Sequence, residues 1–254
     1  MYTNSAVEYQ GCSVIFPSVF RHFPEPPAWC CGNDGEWDVR IASSRTGRNF
    51  TYIGGDRQPF LFRGTTNAPA PDTNASQQPS CSEIGATSSW DSALVSIVRG
   101  YVEDGERVRM FYWGDAVRHG HHSVPCPTTG FAALELRQHG FASIDSAADW
   151  DSVSQLLTKP LLTGGETTLW LNARTANGAS ISAELLGPDG KPLPGFALAD
   201  SVPLSGNFVE RRAQWGRTNA STASTGAGAP LSLRLVMRGH VELYSFRFGA
   251  AAGG

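Results

Sequence analysis

Hydrophobic and polar residues alternate along most of this chain with the period of two that extended backbone imposes, because successive side chains of a strand point to opposite faces. Ser13 to Phe23 is the first strong run, apolar enough to be a buried strand, and it ends in Arg21-His22. Trp37 to Ser44 and Asn49 to Ile53 follow as two alternating segments. Ser44-Arg-Thr-Gly47 between them predicts a hairpin turn, with glycine where a positive φ is needed. The pattern recurs in Ala93 to Arg99, Arg107 to Trp113, Phe131 to Leu136 and Phe141 to Ile144, with turns at Glu103-Asp-Gly105 and Gln138-His-Gly140.

Two consecutive meanders of this size predict propeller blades. Val39 to Phe50 parallels Ala132 to Phe141: in both, a hairpin closes just before an aromatic residue, as the outer hairpin of a blade requires. Thr65 to Ser89, rich in Pro, Asn, Ser and Thr, separates the two meanders and predicts a long irregular insertion or loop. After Trp150 the texture changes. Thr167 to Arg174, Ile181 to Leu186, Phe208 to Trp215, Leu231 to Met237 and Val241 to Phe248 alternate between turns such as Gly187-Pro-Asp-Gly190, a sandwich pattern. The predicted fold is all-β: a partial or divergent β-propeller of about two four-stranded blades over residues 1–148, then a β-sandwich over 149–250, with the boundary between Ser146 and Lys159.

Composition agrees with many short strands. In 254 residues, 41% are hydrophobic and 10% aromatic, enough for a sizeable core, and Gly 28 with Pro 16 supplies turn formers. A net charge of -3 and a pI of about 6.1 leave no broad positive field, which argues against a nucleic-acid partner. The longest apolar runs, such as Gly11 to Phe20, fall far short of the roughly 20 residues that span a bilayer, so no membrane crossing is expected. Met1 to Gln10 has no basic start followed by an apolar stretch, so it does not read as a secretory signal. Asn49-Phe-Thr, Asn74-Ala-Ser and Asn219-Ala-Ser are nevertheless glycosylation sequons, the one feature compatible with a secreted or extracellular protein. Cys12, Cys30, Cys31, Cys81 and Cys126 form no zinc spacing, and their odd number permits at most two disulfides and a free thiol. No metal site, no cofactor, no nucleophile elbow, phosphate loop or dinucleotide fingerprint is predicted, and the oligomeric state is open.

Several segments together resemble the later blades and the following sandwich of proteins related to glycoside hydrolase families 32 and 43. They are Phe16-Pro-Ser-Val-Phe-Arg-His-Phe23, Asn33-Asp-Gly35 with Trp37-Asp-Val-Arg-Ile41, Arg57-Gln-Pro-Phe60, Trp90-Asp-Ser92, Phe111-Tyr-Trp-Gly114, Gly130-Phe-Ala-Ala-Leu134, Gly140-Phe-Ala-Ser143, Thr158-Lys-Pro-Leu161 and Leu185 to Asp200. The resemblance covers roughly residues 7 to 248. It implies a carbohydrate partner and a propeller funnel lined by carboxylates; the family's catalytic acids sit mainly on the first three of five blades, so about two blades leave open a non-catalytic carbohydrate-binding or interaction module.

Glycoside hydrolysis uses two carboxyl groups, one to protonate the leaving oxygen and one to act as nucleophile or activate water. Asp91, just before the strand Ala93 to Arg99, is the first candidate; a turn-capping aspartate is its alternative reading. Asp38 at a strand start is the second, while Asp34 reads as a turn residue and Glu25 and Glu83 as loop carboxylates. Arg21 and His22, at the end of the first inner strand, are candidates for hydrogen bonding to sugar hydroxyls, or else for pairing with a neighbouring acid. His119, His121 and His122 lack a matching carboxylate or Cys at ligand spacing, so His119 is read as a sugar-binding group rather than a metal ligand. Trp29, Trp37, Trp90 and Trp113 have faces suited to the C–H face of a pyranose; buried packing is the alternative for most, and Trp90 is the one expected to be exposed.

Overall fold

The computed structural model describes residues 4–23, 33–55, 58–64, 89–120, 128–147, 152–163, 166–216, 222–224 and 229–249. They form strands and turns with a single 3-10 turn at Leu198–Asp200, so the chain is all-β as the alternation predicts. It divides into two compact units, Met1–Leu136 and Arg137–Gly254. The Thr65 to Ser89 insertion lies outside the described residues except for Ser89.

In the first unit, β1 (Asn4–Tyr9) and β2 (Cys12–His22) form an antiparallel hairpin from Asn4↔Pro17 to Tyr9↔Cys12. Its two-residue turn needs positive φ twice, and Gln10 (49°) and Gly11 (72°) provide it. The strict alternation of β1 buries Ser5, Val7 and Tyr9. Beyond that hairpin, β2 pairs in succession with β4 (Ala42–Ser44) and β3 (Gly35–Val39), which act as one strand interrupted at Arg40-Ile41; Arg40 N–H still reaches the Pro17 carbonyl (2.9 Å). Beside β4, β5 (Thr51–Tyr52) ends this meander.

A second meander is built from β6 (Leu94–Ile97), β7 (Val102–Asp104), β8 (Arg107–Asp115) and β9 (Gly130–Arg137). Both β6 and β7 pair with β8, and β9 also pairs with β8. One parallel contact, Trp37↔Leu94, links β3 to β6, so the nine strands make a single hydrogen-bonded sheet. Val39, Val95, Val108 and Met110 are fully buried. A small polar lock sits among them: the Trp37 indole N–H donates to Ser96 Oγ (3.1 Å), which also meets Ser18 Oγ (2.9 Å).

In the second unit, β10 (Ile144–Asp145), β18 (Val241–Phe248), β13 (Glu166–Thr175) and β15 (Asn207–Arg212) form one sheet in that order, with β16 (Thr222–Ser224) also on β13. The other sheet centres on β17 (Pro230–Arg238), flanked by β11 (Val153–Leu157), β12 (Leu161–Leu162) and β14 (Ser180–Leu186). Both sheets feed one core. Leu169, Leu171 and Ala173 of β13 and Leu243 of β18 meet Ile181, Ala183 and Leu185 of β14 and Leu233, Leu235 and Met237 of β17. Trp215 completes it, its indole N–H donating to the Ala183 carbonyl (2.8 Å).

Residues 137–147, which the sequence assigns to the first region, make these contacts in the second unit. Ile144 pairs with Leu243, Ser146 Oγ donates to the Gly239 carbonyl (2.6 Å), and Asn172 Nδ2 donates to the Gln138 carbonyl (2.7 Å). Phe141 to Ile144 accordingly contributes only its last residue to a strand.

Candidate functional site

The Arg63 side chain bridges β3 and the turn that carries Asp91. Its Nη1 forms an ion pair with Glu36 Oε2 (2.5 Å) and donates to the Ser92 carbonyl (3.1 Å). In β3, Gly35, Trp37 and Val39 are buried, while Glu36 and Asp38 alternate with them and are only partly so. Asp38 pairs with Arg40 (2.9 Å). Burial pushes its carboxyl above the ordinary aspartate range, against the pull of Arg40, Arg63 and Arg21.

Asp91 sits on the turn that leads into β6, beside Ser92. Its Oδ2 accepts the Tyr112 hydroxyl (3.0 Å) and its backbone carbonyl accepts Gly64 N–H (3.0 Å). Glycine is required at two neighbours of this carboxylate. A Cβ on Gly64 would collide with Asp91 Oδ1 and Ser89 Oγ, and one on Gly114 would lie 2.6 Å from Asp91 Cβ. Tyr112 is pushed up to about 12 by burial and by its bond to Asp91, so its phenol is a standing hydrogen-bond donor at neutral pH.

Trp90 is partly buried rather than open. Its ring stacks on Tyr112 at 5.5 Å between centroids, and a Cβ on Gly130 would come within 2.7 Å of it. His119 lies elsewhere, in an aromatic group with Phe20 (5.5 Å) and Trp37 (5.7 Å), its Nδ1 within 2.9 Å of the Asn33 carbonyl. His22 lies 6.1 Å from the Phe20 ring, and both Arg21 and His22 are exposed at the end of β2. Trp37 also meets Trp113 edge to face at 6.0 Å. Asp34, expected to be a turn residue, is buried and paired with Arg118 (2.9 Å).

Of the candidates, Asp91 packs against Gly64, Asp38 pairs with Arg40 on the Glu36 side of β3, and His22 and His119 lie around Phe20. Glu25, Trp29, Glu83, His121 and His122 lie outside the described residues. Among the described residues, no group of three or more His, Cys, Asp or Glu is placed to hold a metal ion, and no helix is long and apolar enough to cross a membrane.

No protein-family model and no curated protein matches this chain. Among solved structures it is similar to a glycoside hydrolase family 43 arabinoxylan arabinofuranohydrolase from Bacillus subtilis in complex with cellotetraose, at 11% identity and a TM-score of 0.25. The match covers 96% of this chain and 53% of that one, so the chain spans about half the length of that enzyme. A likeness at that level assigns this chain no fold and no residue a role.

Chemically, the Arg63 cluster offers a carboxyl biased toward its protonated form at Asp38, a second carboxylate at Asp91, a phenol donor at Tyr112 and the guanidinium itself. Arg63, Glu36, Gly64 and Tyr112 escape a sequence reading. Tyr112 lies in an alternating strand beside Trp113, and Arg63-Gly64 belongs to no periodic segment, so only the turn that brings Gly64 against Asp91 reveals them.

Proposed function

We propose that this chain is a glycoside-hydrolase-like protein that binds or acts on carbohydrate at the Arg63 cluster. One observation supports the reading: Arg63 bridges β3, through Glu36, to the turn that carries Asp91, through the Ser92 carbonyl, with Asp38 on the Glu36 side of β3 and Asp91 packed against Gly64. In the catalytic form of the proposal, Asp38 is the general acid, because burial favours its protonated form, and Asp91 is the nucleophile or base, oriented by Tyr112. We read β1 to β5 and β6 to β9 as two blade-like meanders, and the paired sheets of the second unit as a sandwich-type accessory domain. Arg21, His22, Trp90 and His119 are the proposed sugar-contacting groups.

A second reading, a non-catalytic carbohydrate-binding module, is favoured by the state of the acids: Asp38 is engaged by Arg40, Glu36 by Arg63 and Asp91 by Tyr112. Fructan, arabinan and xylan, incubated with the protein and assayed for binding and for released reducing sugar, separate the two. Hydrolysis that falls by about 100-fold or more in both Asp38→Asn and Asp91→Asn supports the catalytic form. Binding without product supports the module, and neither binding nor product overturns both.

A further inference from the structure

The outward face of β7, β8 and β9 carries an aromatic strip apart from the Arg63 cluster. Side-chain contacts fix how β9 lies on β8. Glu135 bonds Arg107 and Arg109 near one end, and Thr129 Oγ1 donates to Asp115 Oδ2 (2.6 Å) near the other, so the strands run antiparallel. Alternation then puts Phe131 and Ala133 on the same face as Glu135, and Phe111 on the face of Arg107 and Arg109. The pairs Val102↔Arg109 and Asp104↔Arg107 bring β7 into it.

On this face Phe131 is 75% exposed, Val102 54% and Phe111 49%. Trp113 continues the Phe111 side of β8, and its ring is backed by Trp37. The charges on the face balance: Arg107 and Arg109 pair with Glu135, and Arg109 also with Asp104 (3.2 Å), while the alternation of β8 and β9 adds Asp115, which accepts from Thr128 and Thr129, and Arg137, three cations against three anions. Solvent-facing phenylalanines held on strands are preorganised, so little freedom is lost when a flat ligand covers them. A charged polymer finds no net field here, whereas a ligand with apolar C–H faces and uncharged hydroxyls matches both the rings and the neutrality.

We propose that this face is a binding platform for neutral polysaccharide, separate from the Arg63 cluster. The assignment goes beyond the cluster reading and does not depend on it. Native affinity electrophoresis of the full chain in arabinan and in hydroxyethylcellulose, with polygalacturonate as the charged control, tests it. Retardation is expected in at least one neutral polymer, nearly unchanged up to about 0.5 M salt, where charge attractions are screened. The double variant Phe111→Ser with Phe131→Ser is expected to lose about tenfold or more in affinity with an unchanged melting temperature, since both rings are exposed. No retardation by either neutral polymer, unchanged retardation in the double variant, or tighter salt-sensitive binding to polygalacturonate overturns the platform. So does sedimentation of the native chain as a dimer that the double variant dissociates, which would make the face a contact between two copies. Absence of product release from any sugar bears on the cluster alone.

Discussion

Burying a charge and pairing it oppose each other at single residues here, and the balance is measurable. Asp38 is raised above its ordinary 3.8 by burial despite three nearby arginines. A group whose folded pKa is raised adds stability below its unfolded pKa and loses it as pH climbs through the folded value, so the ionised carboxylate is a cost at neutral pH. Asp38→Asn is therefore expected to gain more stability relative to the parent at pH 7 than at pH 3, read from melting temperatures; a gain that shrinks at pH 7 would mean that the Arg40 pairing dominates. Tyr112 behaves with the same sign at the other end of the scale. Its hydroxyl titrates near 12, so its contribution is intact below about 10 and is lost between about 10 and 12. Tyr112→Phe should melt with a shallower fall across that alkaline window, and an ultraviolet titration should show a late-ionising phenol in the parent that this variant lacks, besides Tyr244, which burial and its bond to Glu242 also push up. The sequence marks Asp91, on the turn before β6, as an acid near a strand start; Asp38, read as a strand start, instead lies near the end of β3. That Arg63 bridges β3 and the Asp91 turn is not legible, because Glu36 and the Ser92 carbonyl lie far from it in the chain.

Within single elements, alternation was a reliable guide wherever one face of a strand is buried. The sequence anticipates β2, β3 with β4, β8, β9 and the long strands of the second unit, since each sets apolar side chains against polar ones, and β6 as a short apolar run buried on both faces. It misses β1, whose buried positions are Ser5, Val7 and Tyr9, too small or too polar a set to stand out. It overextends Asn49 to Ile53, where only Thr51–Tyr52 is strand and Ile53 N–H adds a bond to the Ile41 carbonyl. Glycine positions explain how closely the elements approach. Gly114 of β8 lies under Asp91, where an added Cβ would meet Asp91 Cβ at 2.6 Å and its Cα at 3.0 Å. Gly114→Ala is expected to cost about 1 to 3 kcal/mol in a urea melt, because the clash is partly with backbone and cannot relax through a rotamer. Ser96→Ala strands the Trp37 indole N–H in a buried site and should cost a similar amount, about 1 to 3 kcal/mol; a neutral result would mean that Ser18 takes over as its acceptor.

For the molecule as a whole, the second unit depends on one core shared by two sheets. It also contains a buried charge, Glu184, whose Oε2 pairs with Arg234 on β17 and whose Oε1 accepts the Leu198 N–H (3.0 Å) at the start of the 3-10 turn. Arg234→Met leaves that carboxylate without its cation and should cost about 3 to 5 kcal/mol, while the double change with Glu184→Leu should recover much of it. Hydrogen exchange on the full chain should place the loss in β14 and β17. The sequence by itself determined the strand-rich class and most strand positions, because alternation and turn chemistry are local and need only the period of extended backbone. Tertiary structure alone decided the single parallel link between β3 and β6, the capture of residues 137–147 by β18 and Asn172, the bond of Tyr112 to Asp91 and the bridge of Arg63 between Glu36 and the Ser92 carbonyl. Those depend on strand order and on which backbones can touch, and they are settled by glycines and buried hydroxyls whose partners lie tens of residues away.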